Sequence, residues 1–148
     1  YVVNDLKVAG YKKAMEEAGL EPIVKNVPGR TELNEHIFEE LLNEDQPEVA
    51  IVVRDSMAVS FINVVRKMHL HIPDDVQVVG FQNTKYAELS RPQLTCINTP
   101  IYDLGEKAMD LLTKLMNLYE SDEEDDEEEE IDGNIYVDYN VVWRGTTK

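Results

Sequence analysis

Several features that often declare a function are scarce or missing in this chain of 148 residues. There is one cysteine, Cys96. It cannot form an internal disulfide, which suits a reducing compartment, and a cytoplasmic location is expected. No apolar run approaches the roughly 20 residues that a membrane-spanning helix requires, so no membrane partner is implied. Basic residues are outnumbered, 14 Lys and Arg against 30 Asp and Glu, for a net charge of −16. Such a chain carries no basic footprint for nucleic acid. No P-loop, glycine-rich phosphate motif or Ser–His–Asp order is present, so neither catalysis nor a cofactor is indicated. His36, His69 and His71 lack a cysteine partner and helical i,i+4 spacing among themselves. Surface positions are expected for them rather than a metal site.

What is present is a globular composition with one local anomaly. The apolar content of 43% and the length suit a single domain with a real core. The acidity is uneven. Residues 120–132 hold 11 of the acids and no base; without them 19 acids face 14 bases. Like charges at adjacent positions repel, so this run is expected to be a mobile, solvated loop. It lacks the spaced Gly and final Glu of a calcium loop.

The stretch at 72–100, IPDDVQVVGFQNTKYAELSRPQLTCINTP, organises the rest. Pro73, Asp74 and Asp75 predict a turn. Residues 76–79 predict a strand, with Gly80 ending it where the backbone needs freedom. Residues 81–91 are a polar excursion, and 92–100 form a second extended run. Before it, Asn4 is expected to cap a helix to about Ala18, ended by Gly19, with Leu6, Tyr11, Ala14 and Met15 on one face. Residues 23–27 predict a short strand. Thr31 is expected to cap a helix with Leu33, Ile37, Phe38, Leu41 and Leu42 as its stripe. The unbroken apolar run 49–53 predicts a strand covered on both faces, hence a parallel sheet. Asp55 is expected to cap the next helix, with Met57, Ala58, Phe61, Ile62, Val65 and Met68 inward. Residues 102–118 predict a fourth helix, with Leu104, Ala108, Leu111, Leu112 and Leu115 inward. Residues 135–143 predict a final edge strand. The alternation argues a doubly wound α/β fold.

Several stretches resemble the effector-binding domain of the LacI/GalR transcription regulators. They are AGYKKAMEEAGL in the lead helix, VAIVVRDSMA at 49–58, the central GFQNTKY and RPQLT, IYDLGEKAM, and the closing WRGTTK. The resemblance implies a periplasmic-binding-protein-like fold of type I, mostly its C-terminal lobe. Residues 1–97 would form that lobe, 98–120 a return helix of the other lobe, 120–133 the acidic loop and 134–148 a strand and tail. The chain opens on Tyr1 in mid-pattern, so it is expected to be part of a longer protein. A DNA-reading helix-turn-helix would then lie outside it. An exported sugar-binding protein of the same fold is the rival reading. RPQLT, LGEKAM and WRGTTK favour a regulator.

The resemblance also places Lys7, Arg54 and Gln82 in an effector cleft, beside Asp55 and Asn83. The family's usual residues at the first three positions are Arg, Asn and Asp, which hold sugar hydroxyls. Here the carboxylate is an amide and a second cation has appeared, a change that suits an anion such as a sugar phosphate. A vestigial site stands as the alternative. Asp55 reads more simply as the helix cap than as a ligand. Val59 and Ile62 match the face on which family members form homodimers, although core packing explains part of that stripe. Tyr102 and Asp103 match a surface on which some members dock a serine-phosphorylated carrier protein. The two phosphate-binding arginines of that surface are Asp110 and Asn140 here, which should abolish such docking; lobe packing is the plainer role for Tyr102.

Overall fold

The computed structural model describes residues 2–28, 31–120 and 135–148. Two compact units divide the chain. One comprises Tyr1–Ile97 with Val141–Lys148, the other Asn98–Asn140.

The first unit begins with α1 (Val2–Glu17) and α2 (Thr31–Glu44). The helix α1 starts before Asn4, which lies inside it and therefore does not cap it. Its end is as expected. Gly19 has φ +70, Leu20 N donates to Met15 O at 2.9 Å and Gly19 N to Glu16 O at 3.0 Å. This closes the helix with a left-handed C′ residue. Its proposed apolar face is not buried in this unit, and Leu6 is 68% exposed. The expected strand at 23–27 is absent. The segment is irregular, with Ile23 and Val24 exposed, and Lys25 Nζ reaches Asp45 Oδ2 at 2.8 Å. An extended tendency makes a strand only where a neighbouring ladder receives it.

Three parallel strands and a fourth follow. They are β1 (Val49–Ile51), β2 (Gln77–Gly80), β3 (Thr95–Asn98) and β4 (Asn140–Val142), in the order β1-β2-β3-β4. Val49 to Ile51 pair in parallel with Gln77 to Val79, and Val79 and Gly80 with Thr95 and Cys96. The unbroken apolar run at 49–53 thus makes a parallel strand, but not one covered on both faces: Val49 and Ile51 are each 47% exposed. The crossover between β1 and β2 is α3 (Asp55–Lys67), and α4 (Lys85–Leu89) lies within the polar excursion between β2 and β3. As expected, β4 takes an edge, though it is shorter than 135–143.

The core is the α3 stripe packed on α2 and the sheet. Phe61, Ile62, Val64, Val65 and Ala58 are buried against Phe38, Leu42, Val76, Val78, Leu94 and Cys96. The Phe38 and Phe61 rings meet edge to face, with centroids 5.2 Å apart. Such a pair contributes about 0.5–1.5 kcal/mol beyond the area it buries. The α3 helix ends as α1 does, with His69 at φ 60 in place of glycine and Leu70 N donating to Val65 O.

The tail after β4 completes the sheet. Thr146 is fully buried, and its Oγ1 accepts from Thr95 N at 2.8 Å while donating to Val78 O at 2.6 Å. Val78 N returns a bond to Thr146 O at 3.0 Å. One threonine thereby satisfies backbone groups of both β2 and β3.

The second unit is built on α5 (Ile101–Glu120). The inward stripe of a return helix belonging to the other lobe is expected to lack its partners in this chain, and Leu104, Leu112 and Leu115 are indeed 41%, 49% and 37% exposed. Lys107 Nζ donates to Tyr136 O, and Asn98 Nδ2 to Asn140 Oδ1. The expected mobile loop falls outside the described residues except for Glu120. No helix among the described residues is long and apolar enough to cross a membrane.

Candidate functional site

The candidate site lies where β1 and β2 end. Arg54 follows β1 by three residues and immediately precedes α3, while Phe81 follows Gly80, the last residue of β2. Carboxyl ends of parallel strands are where open α/β sheets bind ligands.

Asp55 does not cap its own helix. Arg54 is the capping residue, and no side chain bonds the helix start. The Asp55 carboxylate is fully buried and turns instead to the loop after β2. Its Oδ1 accepts from Gln82 N at 3.2 Å; its Oδ2 accepts from Thr84 N at 2.6 Å and Thr84 Oγ1 at 2.9 Å. A carboxylate buried with several N–H and O–H donors is compensated. It is therefore a support beneath the loop rather than a surface that meets an effector, which corrects its assignment as an effector-binding side chain. The Cys96 thiol lies 3.6 Å from Asp55 Oδ1, and burial, with the Asp55 charge second, pushes it up to about 11. That thiol is inert packing.

Gly80 is required for space and not, as expected, for conformational freedom. A Cβ there would sit 2.6 Å from Asp55 Oδ1, 2.7 Å from Leu94 Cδ2 and 2.8 Å from Cys96 Sγ. The glycine lets the carboxylate pass close to the strand end and reach the loop.

Lys7 brings positive charge to this loop, and Arg54 is exposed at the start of α3. Lys7 Nζ stands 4.5 Å from the centroid of the Phe81 ring, a cation–π contact. Partial burial lowers the Lys7 pKa. Among the described residues neither Lys7 nor Arg54 makes an ion pair. Gln82 is exposed, and Asn83 is half-buried with φ 54, a left-handed conformation that asparagine tolerates. The structure thus ties Lys7, Gln82 and Asn83 to one loop, with Arg54 preceding in the chain the carboxylate that holds it.

Three contributors were not singled out from sequence: Phe81, Thr84 and Arg144. Phe81 and Thr84 lie in the GFQNTKY motif. Arg144 lies in WRGTTK, and its Nη2 donates to Asn83 Oδ1 at 2.7 Å.

The remaining expected positions fall elsewhere. Ile62 is 1% exposed and belongs to the core, while Val59 on the same helix is half-buried. Tyr102 is 91% exposed within its own unit, and Asp103 is exposed beside it. His36 and His71 are on the surface, each at i,i+4 from a carboxylate, Glu40 and Asp75.

Residues 3–147 match the model of the periplasmic binding protein-like domain. The chain belongs to this family. Its likeness is to the LacI/GalR regulators within it. Catabolite control protein A of Priestia megaterium is 37% identical over 148 residues, covering 96% of this chain and 41% of that protein. The solved transcription regulator CcpA of Lactococcus lactis is 29% identical with a TM-score of 0.75, over 98% of this chain and 51% of that one. A LacI family transcriptional regulator from Bifidobacterium animalis, 19% identical with a TM-score of 0.83, shares the fold over 96% of this chain and 49% of its own. The chain therefore spans about half the length of these relatives or less.

Proposed function

We propose that this chain is the effector-binding and dimerisation part of a LacI/GalR-type transcription regulator of carbohydrate-related genes, and that its effector is a small anionic metabolite such as a sugar phosphate. It performs no catalysis, and the longer protein reaches DNA through a helix-turn-helix outside this chain. The observation that carries the anion reading is the loop at the end of β2. Lys7 sits on Phe81 without a carboxylate partner among the described residues, Arg54 is likewise unpaired among them, and Asp55, the acid beneath the loop, is buried and bonded to loop donors. A local positive field inside an acidic protein selects anions over neutral polyols. The relatives' names support the regulatory half of the reading.

The test is operator binding by the full-length protein with a hexose and with its phosphate. The phosphate should shift DNA affinity and the free hexose should not. The reverse order would replace the anion reading with an ordinary sugar site, and no response to either would favour a vestigial one. A second reading, a catabolite regulator that docks a serine-phosphorylated carrier protein, draws on the exposure of Tyr102 and Asp103. Asp110 and Asn140 stand where that docking needs cations, so the phosphorylated carrier should not bind; binding would reverse this assignment.

A further inference from the structure

The effector loop is gripped from two sides, and only one grip comes from the strand-end region itself. Asp55 holds the backbone of Gln82 and Thr84. Between them, the Asn83 backbone bonds the Cys96 thiol, and its side chain is held separately. Arg144, in the stretch after β4, donates Nη2 to Asn83 Oδ1 at 2.7 Å and Nη1 to Leu94 O at 2.8 Å. Arg144 is itself anchored through its backbone: its N–H donates to Thr95 Oγ1 at 2.8 Å and its carbonyl accepts from the same hydroxyl at 3.2 Å.

We propose that Arg144 is a positioning residue for the effector site, acting through Asn83. The inference rests on the reading of the Gln82–Asn83 loop as the effector loop. A guanidinium can only donate, so the Asn83 carboxamide must turn its oxygen toward Arg144, and one of its two amide orientations is selected. The same bond secures a residue whose backbone is left-handed, a conformation that asparagine adopts readily but that needs holding to be the only one populated. Both acceptors of Arg144 are neutral, and among the described residues it makes no ion pair. Asparagine at position 83 thus keeps the guanidinium charge uncancelled beside the loop, where aspartate would cancel it. Arg144 thereby sets both the geometry of Asn83 and the preference of the loop for anions, without touching the ligand.

The experiment uses the whole chain with Arg144→Met, Arg144→Lys, Asn83→Ala, Asn83→Asp and the double variant Arg144→Met/Asn83→Ala. The Asn83 side-chain amide resonances should shift toward free-amide positions in Arg144→Met and return part-way in Arg144→Lys. Losses in melting temperature should be sub-additive in the double variant, because both substitutions break one link. Inorganic phosphate is the binding probe. Arg144→Met should weaken it about threefold to tenfold, and Asn83→Asp should weaken it while raising the melting temperature. Unmoved Asn83 resonances with additive losses would overturn the proposal and leave Arg144 as a support for Leu94 alone. Should Arg144→Met not fold, Arg144→Lys and Asn83→Ala still decide through the resonances and the melting temperatures. Sub-additive losses with no phosphate binding in any variant would sustain the Arg144–Asn83 link while overturning the anion reading.

Discussion

At the scale of single residues, close approach explains more than charge. The strand end at Gly80 accommodates Asp55, Leu94 and Cys96 only because no Cβ intervenes. Gly80→Ala should therefore destabilise by about 1–3 kcal/mol, the usual cost of overpacking a site that cannot yield. The measurement is denaturant unfolding, and a variant as stable as the parent would show that the neighbours move aside cheaply. Asp75 offers a second residue-scale test. Its Oδ2 accepts from His71 N at 2.7 Å and lies 3.2 Å from His71 Nδ1. These contacts, the backbone bond first, lower its pKa from the ordinary 3.8. A carboxylate with a depressed folded value stabilises above its unfolded value and loses that contribution as pH falls through the folded one. The melting-temperature gap between the parent and Asp75→Asn should persist from pH 7 to 5 and close below about pH 3.8. A gap that stayed constant to pH 2 would refute this.

Among the elements, the tail after β4 does work that its polar sequence conceals. Thr146 is fully buried between Thr95 N and Val78 O. Thr146→Val preserves the shape and removes both bonds, leaving a buried donor and a buried acceptor unpaired. A loss of about 1–3 kcal/mol per orphaned group is the expected scale, read as a fall in melting temperature; a neutral result would mean that water reaches these groups. The same tail marks the limit of what sequence disclosed. The parallel strand at β1 was legible from an unbroken apolar run, though not its exposure, and the α3 stripe from a helical apolar period. The segment at 23–27 misled because a strand depends on neighbours that local pattern cannot supply. The site was half legible. Lys7, Arg54, Gln82 and Asn83 followed from motif resemblance, whereas the turn of Asp55 to the loop depends on Gly80, and the Arg144–Asn83 bond joins residues 61 positions apart.

For the whole molecule, the uncovered apolar surface is the dominant physical fact. Val49 and Ile51 on β1, and Leu104, Met109, Leu112 and Met116 on α5, are each at least 41% exposed. Apolar faces of this kind promote association. The chain on its own should self-associate as concentration rises, measured by light scattering, and a strictly monomeric species at high concentration would count against that. Calorimetry of the intact protein with a hexose and its phosphate, for the parent and Arg54→Asn, tests whether Lys7 and Arg54 select an anion. The parent should prefer the phosphate, and Arg54→Asn should lose about 1.5–3 kcal/mol of phosphate affinity, as for a charge-assisted hydrogen bond, while hexose affinity holds or improves. Tighter binding of the hexose than of its phosphate by the parent, or phosphate affinity unchanged in Arg54→Asn, would contradict it.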